Sequence, residues 1–369
     1  MAKIETITEY GVYPVSLAEK IAQAKDAEAV VAALNNADVD GVLLQILEKD
    51  AAKVFCGMAI AAEAVGASRK ILHIPEYAAA LAEKLAPAAK EAGVEIVVGI
   101  VNVRANANNL VTHIVTMAEL AGESTEGVYV CVNGGELKKV PAATTLRELV
   151  GDVKGVQTGY VVRSKDALDM TVAEAGIENG VVNAITDSNC VVAKVQKQLL
   201  ACRAQSCGKC VFCREGLIQL EAMQKDITVG KGTLAYLDMT KEIGEAMTFS
   251  TPCSMGQKSA VMPLTAVEAF RGEYEEHIKK HKCAADECLA FRKVYVDPTC
   301  CTGCAACIPA CPTDSIDGAK GYIHIVFDNT CTKCGACVNA CPEKAIHVTT
   351  GRVPKLPDRM LRVGRFRMN

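Results

Sequence analysis

Nine cysteines in this chain fall into three C-x-x-C-x-x-C runs, a spacing that suits an iron–sulfur cluster better than a disulfide framework. The first run is Cys207, Cys210 and Cys213, within Ser206-Cys207-Gly208-Lys209-Cys210-Val211-Phe212-Cys213-Arg214-Glu215-Gly216. Three thiolates wrap one loop around a cubane, but a [4Fe–4S] cluster needs four. Cys253 is the expected fourth: it follows a helix-length segment and stands between Pro252 and Gly256, which let the backbone turn. Cys301, Cys304, Cys307, Cys311 and Cys331, Cys334, Cys337, Cys341 are two copies of C-x-x-C-x-x-C-x-x-x-C-P, repeated after 30 residues. A further group, His277 followed by Cys283 and Cys288, offers a partial tetrahedral site for Zn²⁺ that lacks one ligand. The alternative is two free thiols in a linker. Cys56, Cys131 and Cys202 read as core residues, and Cys300 as a spare thiol beside a cluster loop.

The double repeat is identified as a bacterial-type two-cluster ferredoxin, in which the fourth cysteine of each run serves the other cluster. On that rule Cys301, Cys304, Cys307 and Cys341 hold one cubane, while Cys331, Cys334, Cys337 and Cys311 hold the other. The S-C-G-K-C-x-x-C-R-E-G run with its distal Cys253 resembles the cluster domain of the flavin-binding, NADH-oxidising subunit of respiratory complex I and of multimeric [FeFe]-hydrogenases. The resemblance is strong from 127 to 345 and weak before it. Hydrogenase-type relatives also carry a cysteine where Asp187-Ser188-Asn189-Cys190 stands, so the resemblance adds Cys190 to His277, Cys283 and Cys288 as the missing metal ligand.

That family binds FMN through a glycine-rich G-R-G-G-A-G-F-P-T-G loop, whose bare amides cradle the phosphate. The first 50 residues here contain only Gly11 and Gly41, and the family's N-N-V-E-T motif has become Asn108-Asn109-Leu110-Val111-Thr112. Residues 1–122 therefore read as a degenerate flavin domain kept for its shape, with no FMN expected. The competing reading is a domain that still holds a nucleotide.

The elements that must position these cysteines follow from the hydrophobic pattern. Short β-branched runs at 41–47, 70–74 and 94–103 alternate with alanine-rich helical segments at 51–67 and 77–92, as in βαβ units of a small parallel sheet. Residues 126–185 resemble the family's β-grasp, soluble-ligand-binding-like module, with a strand at Val128-Tyr129-Val130-Cys131-Val132 and a threonine-capped helix near Leu146. Residues 189–282 read as a helical bundle carrying one [4Fe–4S] cluster, 283–299 as a metal-binding linker, 300–350 as the 2×[4Fe–4S] ferredoxin domain and 351–369 as a basic tail. The expected class is thus α/β plus α plus α+β. The tail is either a solvated segment or a docking strap for an acidic partner.

Composition bounds the function. Half of the residues are hydrophobic, enough for real cores. A net charge of −3, 4% aromatic residues and no tryptophan give neither the basic field nor the stacking platforms of a nucleic-acid binder. The longest apolar stretch, 54–67, is interrupted by Glu63 and is too short for a bilayer, so no membrane insertion is expected. Reduced, clustered cysteines point to a cytoplasmic setting. Three clusters without an acid/base constellation describe an electron wire: an iron–sulfur electron-transfer subunit of an oxidoreductase complex, between a flavin-containing subunit and ferredoxin or another redox partner. The alternatives are an NAD(P)H dehydrogenase subunit with an unrecognised flavin site and a non-catalytic iron–sulfur assembly or sensor protein.

Overall fold

The fold is seen in a computed structural model that describes residues 4–367; the first three residues of the α/β segment and the last two of the basic tail lie outside the described residues. The chain divides into two compact units. One runs up to Asp187 and adds 194–224 and 235–271; the other combines 188–193, 225–234 and the chain from Gly272 onward.

In the first unit, Ala29-Val30-Val31-Ala32-Ala33 is an unbroken apolar run that is buried along its whole length, as a strand covered on both faces must be. It is β1 (Ala29–Ala33), the core strand of a parallel sheet with β2 (Arg69–Ile74), β3 (Glu95–Val98) and β4 (Leu110–His113) in the order β3-β2-β1-β4. The helices α1 (Leu17–Gln23), α2 (Gln45–Val65), α3 (Ala79–Glu91) and α4 (Ile114–Leu120) accompany it. The expected strand at 41–47 is absent: after a single 3₁₀ turn at Val42–Leu44 the chain enters α2. Leu43, Leu44 and Leu47 are the buried residues there, a one-sided helical spacing, whereas the strand belongs to the 29–33 run. β4 likewise lies beyond the expected 94–103 segment.

Helix α2 is broken at Asp50 (φ −156°, ψ 73°), whose carboxylate accepts the Lys53 amide at 3.2 Å and so restarts the helix as an N-cap. Further along, α2 lies so close to α4 that a Cβ at Gly57 would collide with the Met117 carbonyl.

The next five strands, β5 (Val128–Val132), β6 (Leu137–Val140), β7 (Gly155–Thr158), β8 (Val161–Ser164) and β9 (Val181–Ile185), form a mixed sheet ordered β6-β5-β9-β7-β8. Only β5 and β9 pair in parallel; β9 lies between the β5–β6 and β7–β8 hairpins, antiparallel to β7. Its short helices, α5 (Leu146–Val150) and α6 (Val172–Ala175), each begin with a complete capping box, Thr145 with Glu148 and Thr171 with Glu174. Cys131 is buried within β5.

Six helices follow: α7 (Val191–Gln205), α8 (Val211–Thr228), α9 (Ala235–Ser250), α10 (Ser254–Ser259), α11 (Val261–Ala269) and α12 (Arg271–Lys280). In the second unit β10 (Lys293–Val296) pairs antiparallel with β13 (Ile346–Thr349), and β11 (Ile316–Asp317) with β12 (Ile325–Val326); α13 (Ala336–Ala340) lies between β12 and β13 in sequence. The fold around the cysteine repeats therefore begins before residue 300. Among the described residues, no helix is long and apolar enough to cross a membrane.

The contact at Gly57 sets a stability prediction. Gly57→Ala should lower unfolding stability by about 1–3 kcal/mol, the usual cost of overpacking, despite alanine's better helix propensity. Urea titration would read this as a lower midpoint; an unchanged or higher midpoint would refute the close approach of α2 and α4.

Candidate metal centres

The two ferredoxin-like runs close on separate cavities. Cys301, Cys304, Cys307 and Cys341 line one, and Cys311, Cys331, Cys334 and Cys337 line the other. Burial, and then the charges of Cys301, Cys304 and Cys341, push the Cys307 thiol up to about 11. Cys337 is raised in the same way, by burial and then by Cys331, Cys311 and Cys334. Each buried third cysteine thus feels its own run and the last cysteine of the other run.

The loops repeat in backbone conformation as well as in sequence. Gly303 and Lys333 (φ 68° and 61°), Ala305 and Gly335 (66° and 78°), and Asp314 and Lys344 (49° and 50°) are all left-handed. In the first two pairs only one member is glycine, so the curvature is imposed on a lysine and an alanine at roughly 1–3 kcal/mol each. Amides turn inward to the sulfurs: Ser315 N–H donates to Cys311 Sγ (3.2 Å), Ala345 N–H to Cys341 Sγ (3.3 Å) and Lys333 N–H to Cys331 Sγ (3.4 Å). Such N–H···S bonds stabilise negative sulfur and tune a cluster's potential.

In the first unit, Cys210 immediately precedes α8, Cys213 lies in its first turn, and Cys253 stands just before α10 in extended conformation (φ −136°, ψ 162°). Cys213 is buried and Cys207 exposed. Burial raises the Cys213 thiol to about 11, with further contributions from the charges of Cys253, Cys207 and Cys210, so the distal cysteine belongs to the same neighbourhood as the run. Gly208 adopts φ 68°, and its carbonyl accepts from Arg214 Nη1 at 3.1 Å, folding the loop back over the start of α8.

A tighter group lies in the second unit. The ligand atoms of Cys190, His277, Cys283 and Cys288, all buried, lie within 4.8 Å of one another, and no other set of three or more among the described residues is so close. Cys190 Sγ is 3.6 Å from Cys288 Sγ and 3.2 Å from His277 Nε2, and Cys288 Sγ is 3.4 Å from that nitrogen. A tetrahedral zinc ion would set these edges at roughly 3.8 Å between sulfurs and 3.6 Å between sulfur and nitrogen. The donor set fits one small, soft cation. His277 Nδ1–H donates to the Glu273 carbonyl at 2.8 Å, which leaves Nε2 facing the sulfurs. Hydrogen bonds from Cys190 and Cys288 hold Cys283 far below the ordinary thiol value, while Cys190 is pushed far above it by the same contacts. Burial disfavours a charged His277 ring, yet hydrogen bonds to Cys190 and Cys283 raise it to about 10. Three sulfurs this close cannot all ionise without a cation.

The parallel sheet reverses direction at β1, between β2 and β4, and the crevice beyond that switch point is the usual ligand position of such sheets. Here it is a cavity of about 90 Å³ lined by Glu9, Tyr10, Asn35, Asn36, Thr112 and His113 among others. Glu9 Oε1 accepts from the His113 amide (2.7 Å) and from Lys20 (3.1 Å). His113 Nδ1 accepts from Val115 N–H, which places its proton on Nε2, and burial pushes the ring down to about 3. The Asn36 amide donates to Ser254 Oγ (2.8 Å), tying the crevice to the residue after Cys253. This buried polar lining escaped the sequence reading, because isolated Glu, His and Asn residues carry no spacing signal. A larger cavity of about 640 Å³ lies between α2 and the β5–β6 hairpin, lined by Gln45, Lys49, Asp50, Lys53, Glu123 and Glu136 among others, with no glycine amides in its wall.

Residues 194–277 match the NADH-ubiquinone oxidoreductase-F iron-sulfur binding region, and residues 300–346 match the 4Fe-4S dicluster domain. The NADP-reducing hydrogenase subunit HndC of Solidesulfovibrio fructosivorans is 32% identical over 208 residues, covering 51% of this chain and 42% of that protein. A subunit of the NADH-quinone oxidoreductase of Streptomyces coelicolor is 29% identical over 167 residues, 40% of this chain and 37% of the relative. The chain thus spans less than half the length of these curated relatives. A crystal structure of NAD⁺-reducing [NiFe]-hydrogenase in the H₂-reduced state superposes with a TM-score of 0.60 at 18% identity, covering 76% of this chain and 62% of that one. At that identity the likeness is one of fold.

Crossed ligand sets have a measurable signature. Cys304→Ala and Cys341→Ala should damage the same cluster, so the double variant loses no more iron than either single one, whereas Cys304→Ala with Cys311→Ala should lose the iron of both. Additive loss for the first pair would uncross the sets.

Proposed function

We propose that this chain is an iron–sulfur electron-transfer subunit of a cytoplasmic oxidoreductase complex, passing electrons between a flavin-containing subunit and ferredoxin or another redox partner. The observation that carries the reading is the convergence of the two cysteine repeats into crossed sets of four, alongside a separate set of the same size in the first unit. In this reading Cys207, Cys210, Cys213 and Cys253 hold one [4Fe–4S] cluster. Cys301, Cys304, Cys307 and Cys341 hold a second, and Cys331, Cys334, Cys337 and Cys311 a third. The clusters, when bound, supply one-electron chemistry at low potential. The chain's own part is placement, inward-facing amides and control of solvent access to the sulfurs.

Cys190, His277, Cys283 and Cys288 hold a structural zinc ion in the same reading. All four donors are buried and close together, so the site has no open position for a substrate. The ion would join the start of α7 to the end of α12 and the turn that follows it.

The chain carries no flavin of its own in this proposal. Small-molecule sites usually occupy about 300–1,000 Å³. The switch-point crevice is far smaller, at about 90 Å³. The 640 Å³ cavity has room, which is the one observation favouring an NAD(P)H dehydrogenase with an unrecognised flavin site. Its carboxylate-rich wall repels a phosphate, and it offers no amide cradle.

Anaerobically prepared protein should contain about twelve iron atoms per chain, and Cys253→Ala should remove about four of them or convert one cluster. A loss-free Cys253→Ala protein would discard that ligand. Metal analysis should also give about one zinc, bound less tightly as pH falls because thiolate and imidazole ligands take up protons. Iron alone, together with rapid alkylation of Cys283 and Cys288 in native protein, would dismiss the zinc site. Purified chain should release no FMN and should not oxidise NADH or NADPH with a dye acceptor until a flavoprotein subunit is added; stoichiometric FMN would establish the dehydrogenase instead.

A further inference from the structure

The basic tail does not simply trail from the ferredoxin-like fold. Ile323 N–H donates to the Leu361 carbonyl (2.8 Å), Val363 N–H to the Gly321 carbonyl (3.1 Å), and Tyr322 and Arg362 form an antiparallel bridge. The tail is thus latched through an isolated antiparallel bridge onto 321–323. That segment lies directly on the first cluster loop: Gly321 N–H donates to the Gly303 carbonyl at 2.9 Å, and a Cβ on Gly303 would meet the Gly321 and Tyr322 backbone at 2.8–2.9 Å. Gly303 stands between Cys301 and Cys304, and Cys304 is exposed. Arg362 rests over the Tyr322 ring, 5.9 Å from its centroid, and a turn joins Arg365 N–H to the Arg362 carbonyl at 3.1 Å. Arg359 is three residues from Arg362, a reach of at most about 11 Å.

The charge changes sign at this edge. Residues 300–350 carry Asp314, Asp317, Asp328 and Glu343 against Lys320, Lys333 and Lys344, net −1, before any cluster adds its own negative charge. Residues 351–367 carry Arg352, Lys355, Arg359, Arg362, Arg365 and Arg367 against Asp358 alone, net +5. All six cations are exposed, and no carboxylate pairs with Arg359, Arg362 or Arg365 among the described residues. Cations that served only to balance a cluster would sit in ion pairs or be tucked against it. These are held outward beside an exposed cluster thiol, the arrangement that steers a negatively charged partner to one site.

We infer that the latched tail, through Arg359, Arg362 and Arg365, is the docking edge of the Cys301–Cys304–Cys307–Cys341 cluster for an acidic one-electron carrier protein. The inference rests on the relay reading given above. The step is a single electron passing between clusters: the carrier is oxidised as the cluster is reduced, or the reverse, and no atom is exchanged.

The test uses the full chain with its clusters and, as probe, a strongly acidic 2×[4Fe–4S] ferredoxin, followed by stopped flow. The R359Q/R362Q/R365Q protein should exchange electrons about tenfold or more slowly than wild type at low ionic strength and converge with it at high salt. Its iron content and its reduction by a neutral quinone dye should be unchanged, and the Arg→Lys triple variant should stay within about twofold of wild type because only charge is needed. Equal rates in the glutamine variant, equal slowing in the lysine variant, slowing shared with the dye, or iron loss in both variants would overturn the docking edge. So would tail-dependent binding to phosphatidylglycerol vesicles with no change in the ferredoxin rate, which would assign the cations to a lipid surface. Wild-type protein that exchanges with the dye but not with ferredoxin also refutes the docking edge alone; clusters that exchange with neither refute the relay reading itself.

Discussion

The constraint that shapes this molecule is the gathering of like-charged sulfurs in buried places. A thiolate loses stability when it leaves water, and loses more when others stand beside it. Burial, with neighbouring thiols, raises Cys213, Cys307 and Cys337, so the protein alone resists the ionised state that each would need as a ligand. A multinuclear or divalent cation removes that penalty, which makes metal binding and folding of these regions a single equilibrium. The elements around the cysteines can be understood as devices for holding sulfur in place before the cation offsets the cost.

Those devices differ with the size of the object to be held. In the ferredoxin-like region the backbone itself is bent, with left-handed residues recurring at matched positions, four of the six not glycine. Amides freed by the bend point at sulfur. Around Cys190, His277, Cys283 and Cys288 the donors instead come from two helix ends and a short turn, and the imidazole is aimed by the Glu273 carbonyl. Ligand atoms this close suit a single small ion, whereas the cysteines of the two repeats line two separate cavities.

The α/β segment shows the opposite balance. Its sheet has the switch-point geometry of a nucleotide-binding fold, yet the crevice is only about 90 Å³; Glu9 holds the His113 backbone amide there, and the Asn36 backbone amide reaches Ser254. The bond from the Asn36 backbone amide to Ser254 ties that sheet to the residue after Cys253.

The sequence alone determined what depends on local spacing: the three cysteine runs, the helix-rich segment between 189 and 282, the capped helix at Leu146, and the lack of a glycine-rich phosphate loop. Periodicities of two, three and four residues are set by backbone geometry and need no partner. Even there an apolar run misled, since Gly41 to Leu47 enters a helix while the fully buried 29–33 run is the strand. Only the tertiary structure decided the rest. Cys190 and Cys288 are neighbours across 98 positions, the polar crevice joins Glu9 to His113, and the tail turns back onto Gly321. Contacts of that kind arise from helix ends and sheet edges meeting in space, and sequence separation carries no record of them.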